Sequence, residues 1–388
     1  MAGAITLPLH MQRDRYDPPA RMAELREQPG LEHITTPLGL QAWLVTRYED
    51  VREVLGDATR FSSAGMPALP GSDEDQRAGN LLALDPPDHT RLRRMLTGEF
   101  TVRRIRRLQP RIEQIVAEHL DAMEQAGPLV DLVDAFALPI PSLVICELLG
   151  VPYADRGEFH RRAAIQLDLT RPLAERGAVA AESRAYMGTL VDRATADPGE
   201  DMLGMLVREH GTEFSRAELV GVASLLLIAG HETTANMLAL GALALLEHPG
   251  QAAAIREDPA VTAPAVEELM RYLSVVHSGM PRRVTRDTEV GGTALAEGDF
   301  VVVSLPAADR DRALVEDPER LDVGRAAAPH VAFGHGVHHC LGAPLARMEM
   351  ATAFPALLRR FPSLAVAGEP EFRSAAVVYG LRHLPVSW

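Results

Sequence analysis

Lysine is missing from all 388 residues, so the 39 basic side chains are arginines throughout. We read that absence as genomic base-composition bias rather than as function. Cysteine is nearly absent too. Cys146 and Cys340 stand far apart, which excludes a disulfide framework and fits the cytosol. Positive charge is in deficit: 53 acids leave a net charge of −14, which argues against nucleic acid as a partner for the whole surface. No apolar run reaches membrane length. The first residues carry one short apolar patch, Ile5 to Leu9, then Arg13, Asp14, Arg15 and Asp17, so they read as neither a signal peptide nor a membrane anchor. No internal repeat and no dividing linker occur, so a single domain is expected, cytoplasmic and monomeric. Its 47% hydrophobic residues can supply a large core.

One dense cluster of chemistry stands out, Phe333-Gly334-His335-Gly336-Val337-His338-His339-Cys340-Leu341-Gly342-Ala343-Pro344. Gly334 and Gly336 let the backbone turn tightly or approach a flat partner closely. Pro344 suits the first turn of a helix that continues to Arg360. Cys340 is therefore expected at or just before a helix N-terminus, where free N–H groups and the helix dipole favour the thiolate.

The remaining segments read mainly as helices with a small β region. Helices are expected over 18–27, from a capping box at 46–49 to Gly56, from Asp85 through Arg94, and over 104–125, 129–149, 154–167, 173–196 and 265–273. Strands are expected over 31–46 as a hairpin, over 282–303 with a turn at Gly291-Gly292, and as a last pair within 374–379. Residues 61–80 form a long irregular connection of the kind that often carries function. From Arg91 to Arg111 eight arginines face one acid, Glu99, which makes a local positive patch; a solvated salt-bridged face and a docking surface both fit it. His89 and Arg93, four apart, share a helix face and could hold one anion together. Cys146 lies in an apolar helical run and reads as a buried, inert thiol. A second capping box, Ser215 to Glu218, opens the longest helix, about 45 to 50 Å to Glu247. Its buried centre holds Ala229-Gly230-His231-Glu232-Thr233-Thr234, which breaks propensity and burial rules together and so marks a functional site. Glu268 and Arg271, spaced i, i+3, read as an ion pair.

Three chemistries compete for Cys340. Zinc fails on geometry, because His338, His339 and Cys340 are adjacent in sequence and no distant ligand pair completes a tetrahedron. His231-Glu232-Thr233-Thr234-Ala235 opens like a zinc-protease helix, but Ala235 stands where the second histidine is needed. A cysteine nucleophile needs a base and an orienting group, and no local motif supplies them. A thiolate ligand to haem needs a glycine-bearing loop, one cysteine, basic residues for propionates and a long buried helix opposite. This chain has all four.

The pattern Phe333-x-x-Gly336-x-x-x-Cys340-x-Gly342 resembles the haem signature of cytochrome P-450 monooxygenases. Gly230-x-Glu232-Thr233 resembles their oxygen-activating helix motif, and Glu268-x-x-Arg271 their structural ion pair, all in family order. The resemblance spans essentially the whole chain and is closest to soluble actinobacterial members. It implies a mainly α protein of the cytochrome P-450 fold, a triangular helical prism around haem b. It implies Cys340 as axial iron ligand, favouring O–O cleavage. His89, Arg93, His338 and Arg282 would bind propionates, with Arg283 the alternative to Arg282. Phe333 would pack near the sulfur, Gly230 would let oxygen and haem approach the helix, and Glu232 and Thr233 would deliver protons. Glu268 and Arg271 would brace the haem loop, with Arg320 as third partner. The implied reaction inserts one atom of O2 into an apolar or amphipathic small molecule, with electrons from NAD(P)H through a ferredoxin reductase and a ferredoxin. A haem-binding sensor or carrier is the competing class, and it has no need of Glu232 and Thr233.

Overall fold

The structure, a computed structural model, describes residues 7–37, 39–66 and 77–388. Leu38 of the first expected hairpin turn and residues 67–76 of the long connection lie outside the described residues, as does the start of the N-terminal apolar patch. In chain order the helices are α1 Ala20–Glu27, α2 Tyr48–Gly56, α3 Asp88–Thr97, α4 Val102–Ala126, α5 Pro139–Leu148, α6 Arg156–Leu167 and α7 Leu173–Ala196. There follow α8 Met202–His210, α9 Arg216–Glu247, α10 Pro249–Glu257, α11 Thr262–Leu273, α12 Leu305–Asp309 and α13 Ala343–Arg360.

The centre is α9. Its capping box forms in both directions: the Glu218 N–H donates to Ser215 Oγ at 3.1 Å, and the Ser215 N–H donates to Glu218 Oε2 at 2.8 Å. From Leu219 to Leu245 the helix is buried on most faces, against α5, α7 and α13. No single helix among the described residues is long and apolar enough to cross a membrane.

The strands sit to one side. Strands β1 Glu32–Thr35, β2 Gln41–Val45, β3 Phe61–Ser62, β5 Met280–Val284 and β8 Phe300–Val303 form a sheet in the order β1-β2-β8-β5-β3. Between β6 Thr288–Val290 and β7 Thr293–Leu295, Gly291 and Gly292 take φ of +57° and +83°, as a two-residue hairpin turn requires. Along β5, strand alternation points Arg282 into the protein and Arg283 out of it.

Three expectations fail for identifiable reasons. The helix at 46–49 starts without its capping box, because Arg47 and not Thr46 is its N-cap, and the Tyr48 N–H is taken by Asp311 Oδ2 at 2.9 Å from a distant loop. The stretch 129–149 begins not as helix but as β4 Leu129–Asp131, paired antiparallel with β12 Pro385–Ser387; a π-helical turn, Val133–Ala137, follows, and the α-helix starts at Pro139, where a missing N–H costs nothing. Residues 374–379 are not a strand pair. The pair is β10 Glu371–Phe372 with β11 Leu381–His383, and 374–379 is their connection; β9 Ala365–Val366 joins β12 instead.

Segment 77–84 crosses the start of α9 closely. A Cβ on Gly221 would lie 1.8 Å from the Ala78 carbonyl oxygen. Gly221→Ala should therefore destabilise the protein by about 1–3 kcal/mol in denaturant unfolding, despite alanine's better helix propensity.

Candidate active site

The cysteine loop is folded by its glycines. Gly334 and Gly336 take φ of +73° and +70°, and a Cβ on Gly336 would stand 2.3 Å from the Leu55 carbonyl oxygen of α2. The Cys340 N–H donates to the Phe333 carbonyl at 2.8 Å and closes the loop. Gly342 caps α13, so Cys340 lies just before the helix. Cys340 is accessible although protein crowds it on nearly every side, so it faces an internal gap rather than bulk solvent. Its thiol does not behave as the helix start alone suggests. Burial pushes its pKa up, and this outweighs the N–H groups of Gly342 and Ala343 and the charges of Arg93 and Arg347. The thiolate is favoured there only when a cation meets the sulfur. Cys146 is fully buried, and its thiol is pushed up to about 11.

Beside the loop lies a group of cationic and imidazole side chains. The His89 and His338 rings sit 4.3 Å apart between centroids. His89 is 1% exposed, and neither ring nitrogen has a hydrogen-bond partner among the described residues. His338 Nε2 lies 3.2 Å from Ser63 Oγ. Arg282 is buried, with one guanidinium N–H donated to the Pro281 carbonyl at 2.8 Å. Arg93 donates to the His339 carbonyl at 2.6 Å. Burial, then Arg282, pushes His338 down to about 4, and burial lowers Arg282 to about 10. Asp85 is the carboxylate set among them; it accepts from Ser62 Oγ at 2.5 Å and the Ser63 N–H at 2.8 Å.

Behind the loop is a buried brace. Arg271 and Glu268, 1% and 2% exposed at their side chains, make a two-bond pair at 2.7 and 2.8 Å. Arg271 also donates to the carbonyls of Asp309, Pro318 and Arg320. The expected third partner is corrected. The Arg320 guanidinium points to Asp322 at 3.6 Å near solvent, and only its carbonyl joins the brace. Arg325 Nε reaches Glu268 Oε1 at 3.2 Å instead.

The long helix supplies a further set of groups. Glu232 is buried, and its carboxylate accepts from Arg373 at 2.6 Å and Asn236 at 3.2 Å. Burial works against its charge, but Arg373, His231 and these hydrogen bonds outweigh it and hold its pKa below the ordinary range. Thr233 Oγ1 donates to the Ala229 carbonyl at 2.7 Å. Ala229 is exposed and Thr233 half-buried within an otherwise buried helix, so this face borders open space. Gly230 departs from expectation. A Cβ there would lie 2.9 Å from Ile145 Cδ1, so the glycine permits close packing of α9 on α5, and the open face belongs to Ala229 and Thr233. His231 is fully buried and stacked on His160 of α6, 4.7 Å between centroids and 13° between planes.

Residues 9–166 and 192–374 match the family model for cytochrome P-450. The chain belongs to the cytochrome P-450 family. It is similar over its whole length to cytochrome P-450 FAS1 of Rhodococcoides fascians, at 49% identity over 399 residues and 100% of both chains. Among solved structures it resembles StaH, a P-450 from glycopeptide antibiotic biosynthesis, with a TM-score of 0.88, 44% identity, and 99% and 100% of the two chains covered. It also resembles CYP105P1 in complex with filipin I, with a TM-score of 0.92, 41% identity and 97% of each chain. The fold is thus that of cytochrome P-450, and the protein is an oxygenase of the actinobacterial type.

The residues of this cytochrome P-450 fit a haem. The buried imidazole of His89, without a hydrogen-bond partner among the described residues, and the thinly bonded guanidinium of Arg282 are suited to carboxylates, which propionates supply. Gly336 keeps the loop backbone close against α2, and Cys340 offers an accessible sulfur. His335 and His339 receive no task beyond the His339 carbonyl that holds Arg93. Sequence reasoning missed several groups. Arg347 holds Glu267 in two bonds at 2.6 and 2.7 Å, and its guanidinium lies 4.5 Å from the centre of the Phe333 ring. Its place seven residues after Cys340, two helical turns on, was an available signal. His330 Nε2 lies 3.2 Å from Glu267 as well. Arg325 and Arg373 gave no local signal.

The brace and this second pair separate in their tests. Arg271→Ala should cost about 3–5 kcal/mol in denaturant unfolding, because it leaves Glu268 charged and buried. Arg320→Ala should stay within about 0.5 kcal/mol, and an equal loss in both would contradict the correction. Burial opposes the charge on Glu267, but Arg347 and His330 outweigh it and bring the carboxyl to about 2. Its stabilisation is therefore complete above the ordinary carboxylate range and is lost as pH falls towards 2. The stability gap between wild type and Glu267→Gln should narrow over that interval.

Proposed function

We propose that this cytochrome P-450 hydroxylates or epoxidises an apolar or amphipathic small molecule of bacterial secondary metabolism, such as a polyketide, macrolide or terpenoid. The observation that carries the reading is the pairing of a buried, ionised Glu232 with Thr233 on the open face of α9. Haem held by Cys340 would supply the activation of O2 and the insertion of one oxygen atom. His89, Arg93, His338 and Arg282 would hold its carboxylates, and Phe333 and Arg347 would stand beside the cysteine loop. Glu232 offers a carboxylate that takes up and passes on a proton within the helix, and the Thr233 hydroxyl stands one residue closer to the open space. Neither role is needed by a sensor or carrier.

The substrate-facing segments support a bulky, weakly polar ligand. Leu226, Ala229 and Thr233 border the gap on α9. Residues 167–172, 275–280 and 377 are drawn together by the Val377 N–H to Leu167 carbonyl bond, 3.0 Å, and the Tyr379 N–H to Val275 carbonyl bond, 2.8 Å. Tyr379 itself is buried, and its hydroxyl donates to the Arg15 carbonyl, so it anchors the N-terminal segment instead of touching a ligand. The 61–84 segment is assigned to the same ligand-facing wall, and its residues 67–76 lie outside the described residues. The similarity to a P-450 of glycopeptide antibiotic biosynthesis and to one that holds filipin I favours large natural products.

Electrons are assigned to NAD(P)H by way of a ferredoxin reductase and a ferredoxin, an acidic partner. The docking patch is narrower than Arg91–Arg111 suggests. Arg91, Arg94, Arg104 and Arg111 are paired with Glu218, Glu213, Glu99 and Glu147. Arg103, Arg106 and Arg107 are exposed and have no acid partner among the described residues. Reversing those three charges to Glu should slow reduction by the ferredoxin about tenfold at low salt and leave substrate affinity unchanged. Equal reduction rates would remove the patch.

The reaction is tested with heavy-isotope dioxygen and a surrogate ferredoxin system on candidate natural products. The product should gain one heavy oxygen atom, and Glu232→Gln should lose roughly a hundredfold or more in turnover. A Glu232→Gln variant that turns over like wild type would refute the role given to the acid.

A further inference from the structure

Glu232 is not held by its own helix alone. Arg373 leaves the end of β10 and donates to Glu232 Oε2. The Arg373 N–H bonds the Gly380 carbonyl at 2.8 Å, so Arg373 and Gly380 form the neck of the 371–383 hairpin. That neck presses on α9 one turn beyond the acid, because a Cβ on Gly380 would fall 1.5 Å from Asn236 Oδ1. Asn236 in turn donates to the Glu232 carbonyl at 2.7 Å and to its carboxylate. Of the carboxylate's two hydrogen-bond partners, Arg373 is supplied by the hairpin and Asn236 by α9 itself, where the Gly380 neck packs against it.

The connection beyond the neck ties to the segment where α6 ends. The Leu169 N–H donates to the Ala375 carbonyl at 2.9 Å, the Val377 N–H donates to the Leu167 carbonyl at 3.0 Å, and Asp168 and Ala376 form a bridge between them. The same helix meets α9 directly at the neighbouring residue, through the His160 to His231 stack and the edge of Phe159 at 5.3 Å from the His231 ring. The charged and titratable groups facing Glu232 are Arg373 from the hairpin, His231 from α9 and His160 from α6.

We infer that Arg373 is the positioning residue for Glu232, and that its grip depends on the docking of the 167–169 segment against the hairpin connection. With the segment docked, Arg373 and Asn236 fix the carboxylate. A ligand that displaces 167–169 loosens 375–377, and through it the neck that carries Arg373. Substrate occupancy and the state of the acid are then linked through six residues of loop. This inference rests on the reading of Glu232 as proton relay only for its consequence in turnover.

The test uses the ferric holoenzyme and infrared difference spectra over a pH titration, with the protonated carboxyl band of Glu232 assigned by its loss in Glu232→Gln. Arg373→Gln should move the midpoint of that band up by roughly 1–3 pH units, since burial then acts without its opposing charge. Arg373→Lys should restore most of the shift. An unchanged midpoint in Arg373→Gln overturns the inference. Leu169→Pro removes the donor to Ala375, and Asp168 already has the extended backbone a following proline requires, with ψ of 108°. It should speed amide exchange across 373–380 and move the midpoint part of the way. Wild-type exchange and midpoint in that variant overturn the dependence on 167–169. Should Glu232→Gln turn over normally while the midpoints shift as stated, the positioning of Glu232 is supported and its role in the reaction is what fails.

Discussion

The site depends on a fully desolvated ion pair on a helix that does not carry the cysteine. Arg271 and Glu268 are buried, and an isolated buried charge costs several kcal/mol, so each must keep every partner it has. Those partners are carbonyls and N–H groups of the irregular stretch 309–322. Asp309 carries the constraint forward, because its carboxylate takes the Val331 N–H at 2.7 Å and Val331 takes the Gly334 N–H in the cysteine loop. A chain segment with little regular structure is thereby fixed by electrostatics where packing alone would leave it loose. Glu267, Arg347 and His330 repeat the arrangement closer to Phe333.

The same rule of paired burial shapes the other wall. Glu232 stays ionised in the protein interior because Arg373 is brought to it from a hairpin 141 residues later. The cationic group around His338 is different in kind. Neither ring nitrogen of His89 has a hydrogen-bond partner among the described residues, and burial keeps charge off the imidazoles until an anionic guest brings the countercharge. Cys340 stands between, its thiol pushed up until a cation is bonded to it. Two places short of complementary charge, one of each sign, are what a haem with its iron and propionates supplies.

Much of this was legible in the sequence, and the reason differs by element. The loop at Phe333 to Pro344 was legible because glycine, cysteine and proline each carry a local conformational meaning. Arg282 and Arg283 were left open by motif, and strand alternation alone separates them. The long helix was legible from its capping box, and its functional step from the polar residues inside a buried run. What escaped notice depends on tertiary contacts without local trace. Arg325 takes the place expected of Arg320 because the chain turns back at Asp322. Asp311 caps α2 from another loop, and Arg373 lies in a stretch that pattern reading assigned near a strand. Gly230 shows the limit of reading a glycine by family role, since Ile145 occupies the space its missing side chain leaves.

The central claim is that Cys340 ligates haem iron as a thiolate. The most direct measurement is the carbon monoxide difference spectrum of the reduced holoprotein, compared with Cys340→His. The wild type should give the red-shifted thiolate-type band, and the variant should lose it in favour of a histidine-type band. A histidine-type spectrum in the wild type, or a thiolate-type band that survives the substitution, would contradict the account.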